Sequence, residues 1–539
     1  PDFVDVKSQM LYEDVKLINE GSPTEWSVDR INDYMDNLAT GTNDQYQNND
    51  WYDAVVAPSA GLHREQVVVS GGSDKVTARM SLVNMEQDGL LANTNFNRKS
   101  LRSNVDLNPL EWMHFTTYIF IQRSERARPP QPMANIFQML NELEPYRQLK
   151  VGDDLWGWAW RGENPLAFTE DGGLINNENQ YTLINLNANL TPVDGLRIEL
   201  GYSNLTNNNK ISNFTEKFGF YEAGSAAGDP PQFSGYNPSL NSLNISSEYR
   251  TQNYYKATAS YEKTMNDHYF KVLAGGDAID FTYSDHYGYR SNFPLGQDYP
   301  QLSLGDREGM NNGSSGTSWS MASLLGRVNY IFKDRYLLEA SFRYDGSSRF
   351  ASENRWGFFP AVSVGWRLSE EDFFQNIDGL TNLKLRASWG QLGNQNIGSN
   401  YPYQSLVDLN QPAIINETSH LGAAITDWAV RGITWEKSEQ TNVGLDFGFL
   451  NNRLSGSFDY YLKKTSDILL ILALPESSGL APNYQNGAAM ENKGWEMVLN
   501  WEDRSGNFSY YLTGQLDDNQ NKITNLLGTG PYISNDRIR

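Results

Sequence analysis

The sequence contains no cysteine. Disulfides and thiolate-bound metals are thereby excluded, although the compartment is not fixed by this. Histidine is scarce: His63, His114, His268, His286 and His420 are the whole set, and no two stand at metal-ligand spacing. The helical HExxH zinc motif is missing. Long apolar runs are missing as well. The longest is Ile468 to Leu474, far short of the ~20 residues a spanning helix needs. Hydrophobic content of 39% and a mean hydropathy of -0.58 point the same way, against a helical membrane protein. Basic charge is in deficit: 43 Lys and Arg face 65 Asp and Glu, for a net charge of -22. Nucleic-acid binding wants a basic footprint, so no nucleic-acid partner is expected. Long acidic surface loops fit this charge, and so does plain solubility.

Catalytic chemistry is not visible. Asp517, Asn519 and Asn521 open like a calcium loop, but the sixth position is Lys522 and the twelfth Gly528, which rules out an EF-hand. Among 65 carboxylates some pair always mimics a glycosidase pair by chance. No catalytic residue, metal ligand or cofactor is assigned, and the chain is not read as an enzyme.

What the chain does have, from about Glu65 onward, is strand-length alternation. Leu383, Leu385, Ala387 and Trp389 alternate with Lys384, Arg386 and Ser388. Tyr336, Leu338, Ala340, Phe342 and Tyr344 alternate with Leu337, Glu339, Ser341 and Arg343. Successive side chains of a strand point to opposite faces, so each segment has one apolar and one polar face. Roughly sixteen such segments, each near the ~9–11 residues that cross a bilayer when tilted, predict a transmembrane antiparallel β-barrel. A lipid-facing barrel hides from hydropathy because half of each strand faces a polar lumen. Aromatic residues make up 13% of the chain, with 30 Tyr and 14 Trp. Rings with a polar tip suit interfacial girdles.

Residues 1–63 read differently, as a partly helical lead-in, with residues 64–539 carrying the strands and loops. Val28, Ile31, Met35 and Leu38 share a helical face, with Ser27 as N-cap. Gly71-Gly72-Ser73-Asp74 predicts a hairpin turn. Short turns at Asp194-Gly195, Asn266-Asp267, Lys333-Asp334 and Asn451-Asn452 alternate with long stretches at 124–180, 205–250 and 281–318. A short helix is expected near Ile136 to Leu143. Outer-membrane barrels have short periplasmic turns and long outer loops, so the turns are expected on the periplasmic side and the stretches outside.

Trp156, Trp158 and Trp160 alternate in the first long stretch. An extended backbone would place them on one side, as a platform for substrate or a partner. Packing within the loop, or a place in an interfacial belt, is the competing reading.

Several segments resemble one family, the SusC-like (SusC/RagA) TonB-dependent transporters of the outer membrane. The motifs are Phe332 to Phe350, Arg355 to Ala361 with Gly365-Trp366-Arg367, Leu383 to Gly398, Glu436 to Asn442 and Glu491 to Glu496. Asn49 to Asp53 and Ser70 to Ser73 are similar to the family's entry into its barrel. The resemblance implies a 22-stranded barrel around an N-terminal plug. This chain is similar to the barrel portion, with plug and TonB box expected upstream of Pro1 and further strands downstream of Arg539. It also implies active import of a nutrient, oligosaccharide or peptide. A SusD-like surface lipoprotein would close the mouth, and the TonB-ExbB-ExbD complex would supply energy. A non-transporting adhesion or scaffold barrel is the alternative, and a β-rich secreted glycoside hydrolase a third. No family motif here identifies substrate-binding residues.

Overall fold

The computed structural model describes residues 5–526 except 22–25, 42–43, 153, 160–162, 227, 375–376, 378 and 472–473. Its body is one sheet of sixteen strands in chain order, each antiparallel to the next. They are β1 (Leu62–Ser73), β2 (Val76–Asp88), β3 (Asn95–Leu110), β4 (Met113–Arg128), β5 (Gly173–Leu190), β6 (Leu196–Thr215), β7 (Ser242–Met265) and β8 (His268–Ser291). After them come β9 (Asn311–Phe332), β10 (Tyr336–Ser347), β11 (Trp356–Arg367), β12 (Leu380–Asn394), β13 (Glu436–Phe449), β14 (Leu454–Ile471), β15 (Tyr484–Ser505) and β16 (Phe508–Asn525). Strands β1 and β16 form the two edges among the described residues.

Register settles which face is which. Directly paired residues of antiparallel strands lie on the same face. Leu338 pairs with Val364, Val364 with Ala387, Ala387 with Val443, Val443 with Tyr460, and Tyr460 with Trp495. This row of apolar side chains crosses six strands and belongs to the outer, lipid-facing band. Near the short-turn end the rings of Phe332, Tyr336 and Trp366 stack in series, 6.2 Å between successive centroids. Tyr344 stacks on Trp356 at 4.9 Å, eight residues further along β10. Eight residues span roughly 27 Å of strand, or about 20 Å across a bilayer once tilted. The two aromatic rows therefore stand where interfacial girdles belong.

All the predicted turns fall at one end. Asn266-Asp267 joins β7 to β8, and Lys333, Asp334, Asn451 and Asn452 adopt the positive φ that tight hairpins need. The first hairpin turns at Asp74-Lys75 rather than at Gly71-Gly72, because Ser73 still pairs with Val76. The long stretches lie at the other end but are shorter than expected. Strands run on through 124–128, 173–180, 205–215, 242–250, 281–291 and 311–318. These extensions are rich in Asn, Ser and Thr, so alternation of polarity fades while the ladder continues. β-Propensity in a sheet is set by neighbours, not by apolarity alone.

Pro360 sits inside β11, where a missing N–H would break a ladder. Pairing of β11 with β12 begins only at Ala361, so the missing donor falls where that ladder has already opened.

The connection after β11 ties down the lower girdle. Glu371 accepts hydrogen bonds from the Tyr336 hydroxyl (2.6 Å), the Trp366 indole (3.0 Å) and the Arg335 guanidinium (3.0 Å). Its carboxyl is held below the usual range, first by the Tyr336 hydroxyl, then by the Trp366 indole and the nearby Arg335 charge. A lowered folded-state pKa contributes stability that is complete above the unfolded value and is lost as pH falls through the folded one. Between pH 6 and pH 3 the parent protein is therefore expected to lose more stability than Glu371→Gln. Urea midpoints of the two proteins at both pH values check this, and equal losses would refute it.

Candidate functional site: the lumenal wall and its outer rim

Opposite the apolar band the wall is polar, and several of its cations hold acids on neighbouring strands. Arg386 of β12 reaches across β13 to Asp459 of β14, with both guanidinium nitrogens 2.7 Å from its oxygens. Its Nε also donates to Asp446 at 3.0 Å. Gly444 lies on the intervening strand, between Arg386 and Asp459 in register. A Cβ there would sit 2.7 Å from the Arg386 guanidinium carbon and 2.6 Å from Asp459 Oδ1. Glycine is what lets the pair close over the strand. Lys384 and Ser388 share this face, and Leu383, Leu385, Ala387 and Trp389 share the other, as the alternation predicts. Arg343 of β10 likewise holds Asp277 and Asp345, at 3.2 and 3.1 Å. Lys256 holds Glu199 at 2.9 Å. Charge-assisted forks of this kind fix side chains in a defined geometry. Alternation alone places Arg386 on this face but points to neither partner. They lie 60 and 73 residues away, and only the sheet brings them near.

At the long-connection end a rim assembly has its own core. Helix α1 (Val6–Asn19) and helix α2 (Val28–Thr40) bury Val6, Met10, Ile31 and Tyr34 together, with Tyr146 packed against them. Ser27 caps α2 as expected, accepting from the Arg30 N–H at 3.3 Å. Val28, expected on the packed face, is instead 60% exposed, while Tyr34 takes its place. Burial pushes the Tyr34 hydroxyl up to about 12 and the Tyr146 hydroxyl higher still. Both rings stay neutral and serve as packing posts.

Helix α3 (Trp51–Val55) joins α4 (Met133–Glu142) and α5 (Pro165–Glu170) in a second cluster with Phe218 and Phe220. The short helix expected near 136–143 is thus present. Trp51 donates to the Glu144 carbonyl at 3.2 Å, which anchors residues 49–55 to the rim.

Trp156 lies in this second cluster, 6% exposed, and its indole donates to Asp171 at 2.8 Å. Trp158 is half-buried, edge-on to Phe220 at 6.3 Å. Trp160 lies outside the described residues. Trp156 and Trp158 therefore do not form one exposed face, because the strand carrying Trp156 pairs in parallel with the Phe218–Glu222 strand and takes its ring inside. Trp156→Ala is expected to cost the rim about 3–5 kcal/mol through cavity formation. Limited proteolysis between 129 and 172 should quicken, while heat-modifiable migration of the barrel stays unchanged.

Between β12 and β13 a two-stranded hairpin, Val407–Ile415 with Thr418–Ile425, stands apart from the sixteen-stranded sheet and from the small four-stranded sheet that holds Trp156. Asn416 and Glu417 turn it at positive φ. Leu409, Ile414 and Leu421 are 73%, 80% and 81% exposed. Sequence reading passed over this hairpin: Pro412 and an irregular register near Gln411 break its alternation. Among the described residues no three acidic or histidine side chains converge as a metal site.

The model of the family described as TonB dependent receptor-like, beta-barrel, matches residues 134–537. TonB-dependent receptor P26 of Formosa agariphila is 29% identical over 509 residues, covering 90% of this chain and 48% of that protein. TonB-dependent receptor SusC of Bacteroides thetaiotaomicron is 27% identical over 512 residues, covering 89% of this chain and 49% of its own length. The chain thus spans about half the length of the curated relatives it matches. In solved structures, the RagAB peptide importer in its closed-closed state superposes with a TM-score of 0.74 at 21% identity, over 97% of this chain and 59% of that one. Its open-open state gives 0.71 at 23%, over 89% and 52%. At these identities the superpositions establish the fold.

Proposed function

The chain belongs to the family of TonB dependent receptor-like β-barrels of the outer membrane, and from there we propose that it forms most of the wall of a TonB-energised importer for an oligomeric nutrient. The nutrient is an oligosaccharide or a peptide, and the long-connection end faces outward. A polar wall lined by charged and hydrogen-bonding side chains, several of its cations paired with its own carboxylates, supports this reading. Energy enters through TonB-ExbB-ExbD acting on a plug carried by the rest of the protein. The measurement is growth of cells on defined oligosaccharides and peptides, with and without the complete protein and with and without TonB. Growth on at least one nutrient should require both, and unchanged growth on every nutrient would refute import.

A SusD-like lipoprotein closes the mouth in this proposal, and the Val407–Ile425 hairpin is its dock. Exposed aliphatic side chains of this size are costly in water unless covered. Trp158, with Trp160 two residues on in the sequence, contributes a further contact to lid or substrate, while Trp156 acts from the rim core by anchoring the strand that precedes Trp158. The double variant Ile414→Asp, Leu421→Asp is expected to lower co-purification of the lipoprotein about tenfold or more. An unchanged ratio of lipoprotein to barrel would place the dock elsewhere.

A further inference from the structure

In one stretch of the lumenal wall four arginines stand together with no ion-pair partner among the described residues. Arg64 of β1, Arg79 of β2, and Arg98 and Arg102 of β3 line one concavity of about 270 Å³. They share the inner face by register: Arg79 pairs with Asn104, two residues from Arg102, and Met85 pairs with both Arg64 and Arg98. Among the described residues no carboxylate comes within ion-pair distance of any of the four. The Arg98 Nε is buried with no hydrogen-bond partner. This contrasts with Arg386, Arg343 and Lys256, each of which holds its own acid. In a chain with a net charge of -22 the cluster is an unspent positive patch.

Its other groups narrow the ligand. The Arg102 guanidinium lies 5.3 Å from the Phe120 ring centre and 6.0 Å from that of Tyr118. Gln66, Ser100 and Gln122 fill the spaces between the arginines with neutral hydrogen-bonding groups. Guanidinium forks match planar or tetrahedral oxyanions. Flat aromatic faces match the C–H faces of sugar rings, and amides and hydroxyls match sugar hydroxyls.

We propose that this patch binds an acidic oligosaccharide, one bearing repeated carboxylate or sulfate groups, on its way through the lumen. The inference rests on the import reading above and names the substrate class that reading leaves open.

The test uses the complete protein with its lipoprotein in detergent and calorimetric titration with four probes. These are an oligogalacturonate, a sulfated galactan oligomer, a neutral maltooligosaccharide of equal length and an oligoglutamate peptide. At least one acidic sugar is expected to bind about tenfold or more tightly than the neutral one, with affinity falling as salt rises. The double variant Arg98→Gln, Arg102→Gln should erase that preference and leave neutral-sugar binding and heat-modifiable migration unchanged. Equal binding of acidic and neutral sugars overturns the proposal, as it would if carboxylates elsewhere in the complete protein neutralise the arginines. So does an unaltered preference in the double variant, or tighter binding of the peptide than of either acidic sugar. Failure of import alone is distinguishable: the charge preference would persist in titration while TonB-dependent growth was absent.

Discussion

Val362→Arg is expected to destabilise the barrel by about 2–4 kcal/mol, the cost of an arginine near the bilayer midplane. Ser388→Arg, on the neighbouring strand beside Ser363, is expected to change stability by less than about 1 kcal/mol. Val362 pairs with Ala340, midway between Tyr336 and Tyr344 along β10, and with Trp389 on its other side, within the outer apolar band. Ser388 faces inward, beside Asn442. The side-chain period of a strand is two, so a register shift of one residue would reverse the two results. Urea unfolding in lipid vesicles, followed by tryptophan emission, measures both variants. A larger loss for Ser388→Arg would mean that the band faces inward.

Replacing Arg386 by Met is the second large effect. It leaves Asp446 and Asp459 facing each other without their shared cation. Breaking a buried ion pair from one side costs about 3–5 kcal/mol. About a third of this side chain is exposed, which lowers the expectation to roughly 2 kcal/mol. The triple variant Arg386→Met, Asp446→Asn, Asp459→Asn should recover most of that loss, since the penalty belongs to the stranded charges. Equal instability of the single and triple variants would show that the arginine acts by packing alone. Gly444→Ala probes the same network sterically: its Cβ would push the guanidinium off Asp459, with a smaller loss because both side chains have room to turn.

Much of the wall was legible in advance. The faces of Leu383 to Trp389 follow from alternation alone, and the hairpins at Asn266-Asp267 and Lys333-Asp334 from their turn residues. Ser27 announces its helix because a side-chain oxygen before an apolar period is a local signal. The outward extensions of β4 to β9 lie in stretches where the sequence predicts loops. There the strand is held by its neighbours' hydrogen bonds, and a composition rich in Asn, Ser and Thr weakens the alternation that would mark it.

Local chemistry thus determined the strands, their two faces, the girdles and the order of short turns and long connections. Each depends on residues within about ten positions of one another along the chain. The tertiary structure decided what depends on distant residues meeting. It took Trp156 into the rim core through pairing with the strand at Phe220, and set Arg386 over Gly444 onto Asp459. It left the Val407–Ile425 hairpin exposed, and gathered Arg64, Arg79, Arg98 and Arg102 from three strands into one patch without a counter-charge among the described residues. Register between strands controls all of these, and register is a property of the whole sheet: a cation's partner is chosen by the strand beside it, not by the residues next to it in sequence.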